Sequence, residues 1–143
     1  MNRFLGACLL ALAGFAALPA TARTSVPVID RENQPVATLA GASPTEAQVR
    51  QAIEAAALTR EWTVRQAAPG QLLASLSVRN KHEITVDIVY SATTYAIRYR
   101  DSVNMNFKAG DPAAGTAPVI HTNYNRWVDD LNRAIRLSLG KIS

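Results

Sequence analysis

The chain has 143 residues, a single cysteine, two histidines and a formal charge of +4. One cysteine excludes a disulfide scaffold and any Cys-based zinc cluster. The basic excess is too small for a nucleic-acid binder, so no nucleic-acid partner is expected.

The N-terminus reads as a cleavable export signal. Met1-Asn2-Arg3 carries one positive charge, and Phe4 to Leu18 is an uncharged run of 15 residues. Pro19-Ala20-Thr21-Ala22 then offers small residues in an A-x-A pattern. Cleavage near Ala22 would leave a cysteine-free chain of charge +3, expected in the periplasm or outside the cell, with no transmembrane segment. Leu5-Gly6-Ala7-Cys8 loosely resembles a lipobox, but a lipid-attachment cysteine ends its apolar run, and Cys8 precedes most of it. Lipid anchoring at Cys8 is therefore not expected.

Residues 23–42 carry Pro27 and Pro35 without sustained periodicity and read as an extended arm. Val26 to Ile29 in that arm suits a short edge strand, where proline is tolerated. Residues 43–143 read as one α+β domain. Its first helix is announced by Ser43-Pro44-Thr45-Glu46, a capping box with proline at the first helical position. Val49, Ile53 and Ala56 follow at helical spacing, and the helix should stop near Leu58 or Thr59.

Four strands of period two come next. Trp62, Val64 and Gln66 share one face, then Leu72, Ala74, Leu76 and Val78. Ile84, Val86, Ile88 and Tyr90 follow, and Tyr95, Ile97 and Tyr99 complete the set. One apolar and one polar face mark an antiparallel sheet covered on one side. Matching apolar faces predicts the register. A loop Ala68-Pro69-Gly70 pairs Val64 with Ala74 and Ala67 with Gln71. A loop Asn80-Lys81-His82 pairs Leu76 with Val86 and Arg79 with Glu83. Pairing Tyr90 with Tyr95 aligns Ile88 with Ile97 and Asp87 with Arg98. Asn104 to Pro118 reads as a loop. A second helix should run from about Asn123 to Leu139, with a stripe of Tyr124, Trp127, Val128, Leu131, Ile135 and Leu139. Asp129 and Arg133 form an i,i+4 pair on it, and Gly140 suits its end. The expected fold is a two-layer sandwich, a four-stranded antiparallel meander with both helices on one face (α-β-β-β-β-α).

Chemistry-bearing motifs are few. No G-x-S-x-G, S-x-x-K or H-E-x-x-H occurs, and neither His82 nor His121 has a partner at metal-ligand spacing. No metal or cofactor is expected. The densest polar cluster is Ile120-His121-Thr122-Asn123-Tyr124-Asn125-Arg126-Trp127. At the start of a helix it could hold an anion with His121, Asn123, Asn125 and Arg126, or simply cap the helix. The outer sheet face is expected to carry Arg65, Arg79, Arg98 and Arg100 beside Glu83 and Asp87.

The stretch from Gln48 onward resembles an uncharacterised family of small exported proteins and lipoproteins of Gram-negative bacteria. The resemblance lies in Glu61-Trp62, Val86 to Tyr90, Tyr95 to Tyr99, and Ile120-His121-x-Asn123-Tyr124-Asn125-x-Trp127-Val128-x-x-Leu131. It implies an envelope location and no established activity. The reading is a non-catalytic envelope module that binds an envelope protein or component. Two alternatives stand beside it: a small hydrolase-like enzyme centred on His121, and binding of anionic lipid or polymer through the arginine-bearing sheet face.

Overall fold

The structure, a computed structural model, describes residues 25–143. The export signal and Cys8 lie outside the described residues. In chain order the elements are β1 (Ser25–Pro27), β2 (Arg31–Pro35), α1 (Glu46–Thr59), β3 (Thr63–Ala68), β4 (Gln71–Val78), β5 (His82–Tyr90), β6 (Thr94–Val103), β7 (Val119–His121) and α2 (Asn123–Gly140). A one-turn 3₁₀ helix, Pro112–Ala114, lies between β6 and β7.

The fold is α+β, with a five-stranded antiparallel sheet in the order β2-β6-β5-β4-β3 and a two-stranded pair of β1 with β7. The expected four-strand meander is therefore four consecutive strands of a larger sheet, extended by β2 beside β6. The added edge strand β2, Arg-Glu-Asn-Gln-Pro, has no apolar alternation to announce it. It is held through polar side chains instead. Arg98 donates to both Glu32 carboxylate oxygens at 2.6 and 2.9 Å, and Asp30 accepts from the Tyr99 amide at 2.9 Å.

The apolar stripes of α1 and α2 and the inner sheet face merge into one core, with Ile53, Trp62, Leu72, Ile88, Ile97, Tyr124 and Ile135 all at 2% exposure or less. Both helices thus cover the same side of the sheet. Alanines at positions 52, 56 and 57 form much of the buried face of α1 and let α2 approach closely.

Helix α1 is capped two residues later than expected, at Thr45 and not at Ser43. Thr45 accepts from the Gln48 amide, and the Gln48 side chain accepts from the Thr45 amide at 2.9 Å. Ser43 and Glu46 have box spacing as well, but the reciprocal pair is made by Thr45 and Gln48. Pro44 accordingly precedes the cap. At the other end, Trp62 N–H donates to the Ala57 carbonyl and Glu61 N–H to that of Leu58, a Schellman closure. Glu61 occupies its left-handed position (φ 63°).

Register follows the expectation in part. The β5–β6 pairing Tyr90–Tyr95, Ile88–Ile97 and Asp87–Arg98 is observed. Val64 faces Ala74, but Ala68, not Ala67, faces Gln71, because a bulge absorbs one residue before the Pro69-Gly70 turn. Gly70 takes the left-handed conformation (φ 75°) that the second turn position requires after proline. Between β4 and β5, Leu76 faces Ile84 and Val78 faces His82. The turn is Arg79-Asn80-Lys81, with Arg79 and Asn80 both left-handed (φ 55° and 52°). Matching apolar faces fixes register only modulo two residues, since side chains repeat with period two. The turn breaks the tie, so the expected cross-strand pair Arg79–Glu83 does not form, and His82 opens β5 instead of sitting in a loop.

Candidate functional site

Helix α2 begins without a side-chain cap from Thr122. His121 supplies one: its Nδ1 accepts from the Asn123 amide at 3.1 Å. The imidazole thus takes the capping role that Thr122 leaves open. Asn125 is a clasp. Its Nδ2 donates to the Pro27 carbonyl at 2.9 Å and its Oδ1 accepts from the Ile29 amide at 3.1 Å, fastening the β1–β2 connection to α2. Both side chains are thus held by backbone groups.

Asn123 and Arg126 face elsewhere. Together with Val78, Arg79, His82, Trp127, Asp129, Asp130 and Arg133 they line an open cleft of about 690 Å³ between the β4–β5 turn and the flank of α2. Sequence reasoning found Asn123 and Arg126 but not Arg79 and Arg133. Arg79 was expected on the outer sheet face, and the register of the β4–β5 turn removes it from there. Arg133 was expected to pair with Asp129.

The charges in the cleft are sorted by partners outside it. Arg31 of β2 donates to Asp129, with Nε at 2.8 Å. Arg60, just past α1, lies 3.6 Å from Asp130. The expected Asp129–Arg133 pair is displaced, because β2 brings a guanidinium to Asp129 that the helix alone did not have. Among the described residues, the guanidiniums of Arg79, Arg126 and Arg133 make no ion pair. The cleft therefore presents three uncompensated positive charges, with both of its carboxylates engaged. His82 stands at its edge, its Nδ1 2.8 Å from the Asn104 carbonyl. A carbonyl only accepts, so Nδ1 is the donor in this bond. The His82 and His121 rings lie 6.3 Å apart, centre to centre.

The outer sheet face carries less free charge than expected. Arg98 is taken by Glu32, and Arg100 lies 3.1 Å from Asp87. Asp87 also accepts from Gln71, so its directly opposite neighbour Arg98 is not its partner. Around these residues, Ser102 is engaged with the Tyr99 hydroxyl, Asp87 with Arg100 and Gln71, and His121 with the Asn123 amide.

Two buried tyrosines belong to the core beside α2. The Tyr95 hydroxyl donates to Asn132, the one polar residue buried among the described residues. Asn132 Nδ2 and Arg136 then converge on Gln34 Oε1 of β2 at 3.1 and 2.9 Å. Burial pushes the Tyr95 hydroxyl above its ordinary pKa, against a lowering influence from Arg136. Tyr124 is fully buried, and its hydroxyl has no partner among the described residues. Burial first, and the nearby Asp30 charge second, raise its pKa strongly.

Among the described residues, no cluster of three or more His, Cys, Asp or Glu could hold a metal, and no helix is long and apolar enough to cross a membrane. No protein-family model matches the chain, and no curated protein or solved structure is detectably similar to it.

Proposed function

We propose that the domain is a non-catalytic binding module of the bacterial envelope that holds an anionic component in the cleft beside α2. The observation that carries this reading is the trio Arg79, Arg126 and Arg133. These side chains line one cleft without a carboxylate partner, while Asp129 pairs with Arg31 of β2 and Asp130 lies 3.6 Å from Arg60 just past α1. Guanidinium forks left without protein acceptors favour carboxylate, sulfate or phosphate. The export signal read over residues 1–22 supports an extracytoplasmic location, as does the family resemblance centred on Ile120 to Leu131.

The test compares the mature domain with a variant carrying Arg79→Gln, Arg126→Gln and Arg133→Gln. Each is mixed with solubilised envelope extract, crosslinked and passed through native chromatography. A complex formed by the parent and lost in the variant is expected. A complex that survives the triple change, or a parent chain that elutes alone, refutes the reading.

A further inference from the structure

Arg126 and Arg133 are seven residues apart on α2, two helical turns or about 10 Å along its axis. That spacing lets the two guanidiniums engage separate acid groups along an extended ligand. Trp127 lies between them in sequence. It packs partly against the core and also lines the cleft, so the indole offers the ligand a flat, rigid apolar surface. The Asn123 side chain lines the same cleft and can donate and accept at once. The walls are a β-turn and a helix flank, with no unpaired strand edge to add an extended peptide. Apart from Trp127 only Val78 is apolar, too little to hold an acyl chain. A single aromatic is also too few for successive stacked bases.

Resting on the cleft reading above, we propose that the ligand is a linear acidic oligosaccharide. One sugar ring lies on Trp127, its hydroxyls meet Asn123, and acid groups on alternate units reach Arg126 and Arg133. Arg79, across the cleft, closes on the chain from the turn. Each element answers a different part of an acidic glycan: the indole its C–H face, the amide its hydroxyls, the spaced guanidiniums its carboxylates.

The test titrates the mature domain and follows tryptophan fluorescence. Trp62 is buried at 2% exposure, so the change reports on Trp127. The probes are a hexasaccharide of alternating hexuronic acid and N-acetylhexosamine, the free hexuronic acid, a neutral hexasaccharide of N-acetylhexosamine, and inorganic tripolyphosphate. The acidic hexasaccharide should bind at least tenfold more tightly than any other probe. Arg126→Gln and Arg133→Gln should each weaken it by about tenfold, the loss typical of a charge-assisted hydrogen bond. Trp127→Tyr should retain most affinity and Trp127→Leu should lose it, with circular dichroism confirming that both variants fold. If tripolyphosphate binds as well as the hexasaccharide, or Trp127→Leu binds normally, the glycan assignment fails while the anionic cleft stands. If no anionic probe binds, or binding ignores Arg126 and Arg133, both readings fall together.

Discussion

Replacing Asn125 by alanine separates a structural clasp from a ligand group. The side chain makes two hydrogen bonds, to the Pro27 carbonyl and from the Ile29 amide. Net contributions of about 0.5–1.5 kcal/mol each would sum to about 1–3 kcal/mol. Pro27 and Ile29 are exposed residues, so water can re-solvate both freed groups, which places the loss at the lower end, about 1–1.5 kcal/mol. For a domain of this size that lowers Tm by about 3–5 °C. The damage should also be local. In native-state hydrogen exchange the Ile29 amide should lose protection, and the Val28 amide, bonded to the Pro118 carbonyl at 3.0 Å, should follow as β1 loosens. Amides of β4 and β5 should keep theirs, apart from the small global loss. Urea unfolding and exchange together decide the matter. A variant of unchanged stability with a protected Ile29 amide would refute the clasp. If that variant also lost affinity for an anionic probe, Asn125 would belong to the ligand.

Tyr95→Phe and Tyr124→Phe should have opposite signs in urea unfolding. The first strands the buried Asn132 acceptor and should cost about 1–3 kcal/mol, whereas the second removes a buried hydroxyl that has no partner and should be neutral or stabilise by about 1 kcal/mol. Equal effects would refute the assignment. Glu61→Gly should raise stability by about 0.5–1 kcal/mol, because glycine relieves a left-handed strain larger than the chain entropy it adds; a lower urea midpoint would contradict the Schellman geometry. Stability should also fall in alkali. Tyr95, Tyr99 and Tyr124 all have folded pKa values raised above 10.0, first by burial. Their contribution is complete below the unfolded value and is lost as pH climbs from about 10 toward the folded values. Tyr124 should ionise only with unfolding, so a tyrosinate absorbance that reached its full amplitude before the circular dichroism changed would refute its burial.

Side-chain alternation made the core legible and left the edges blank. The strands now seen as β4 and β5 and the first half of β6 carry apolar residues at every second position, and α1 and α2 carry them at helical spacing, so burial could be read directly from type and period. Strand β2 carries no such signal. Its place beside β6 depends on Glu32 meeting Arg98, Asp30 meeting the Tyr99 amide, and Gln34 meeting Asn132 and Arg136. Those are contacts across 66 to 102 residues of chain, chosen by tertiary geometry and not by local pattern. The β4–β5 register failed for a related reason. Two registers differing by two residues bury the same side chains, and the left-handed Arg79-Asn80 turn, not hydrophobicity, selected between them.

The candidate site was hidden by the same edge strand. Read as an isolated helix, α2 offers Asp129 to Arg133 as a neighbouring ion pair, which would leave the flank nearly neutral. Strand β2 alters that balance by placing Arg31 on Asp129, and the end of α1 places Arg60 near Asp130. Both arginines come from outside the cleft, and each faces a carboxylate inside it. Arg133 is thereby left without an acid, and the turn that shifts the register by two delivers Arg79 opposite Arg126. A positively charged cleft thus arises from a sequence with only a small net charge, by sorting ion pairs in three dimensions. Charge counts along a chain cannot register this, because they sum over partners that the fold keeps apart. The arrangement also ties the cleft to the N-terminal segment. If Arg31 were lost, Asp129 would be free to turn back to Arg133, and the cleft would give up one of its three free guanidiniums without any change in its lining.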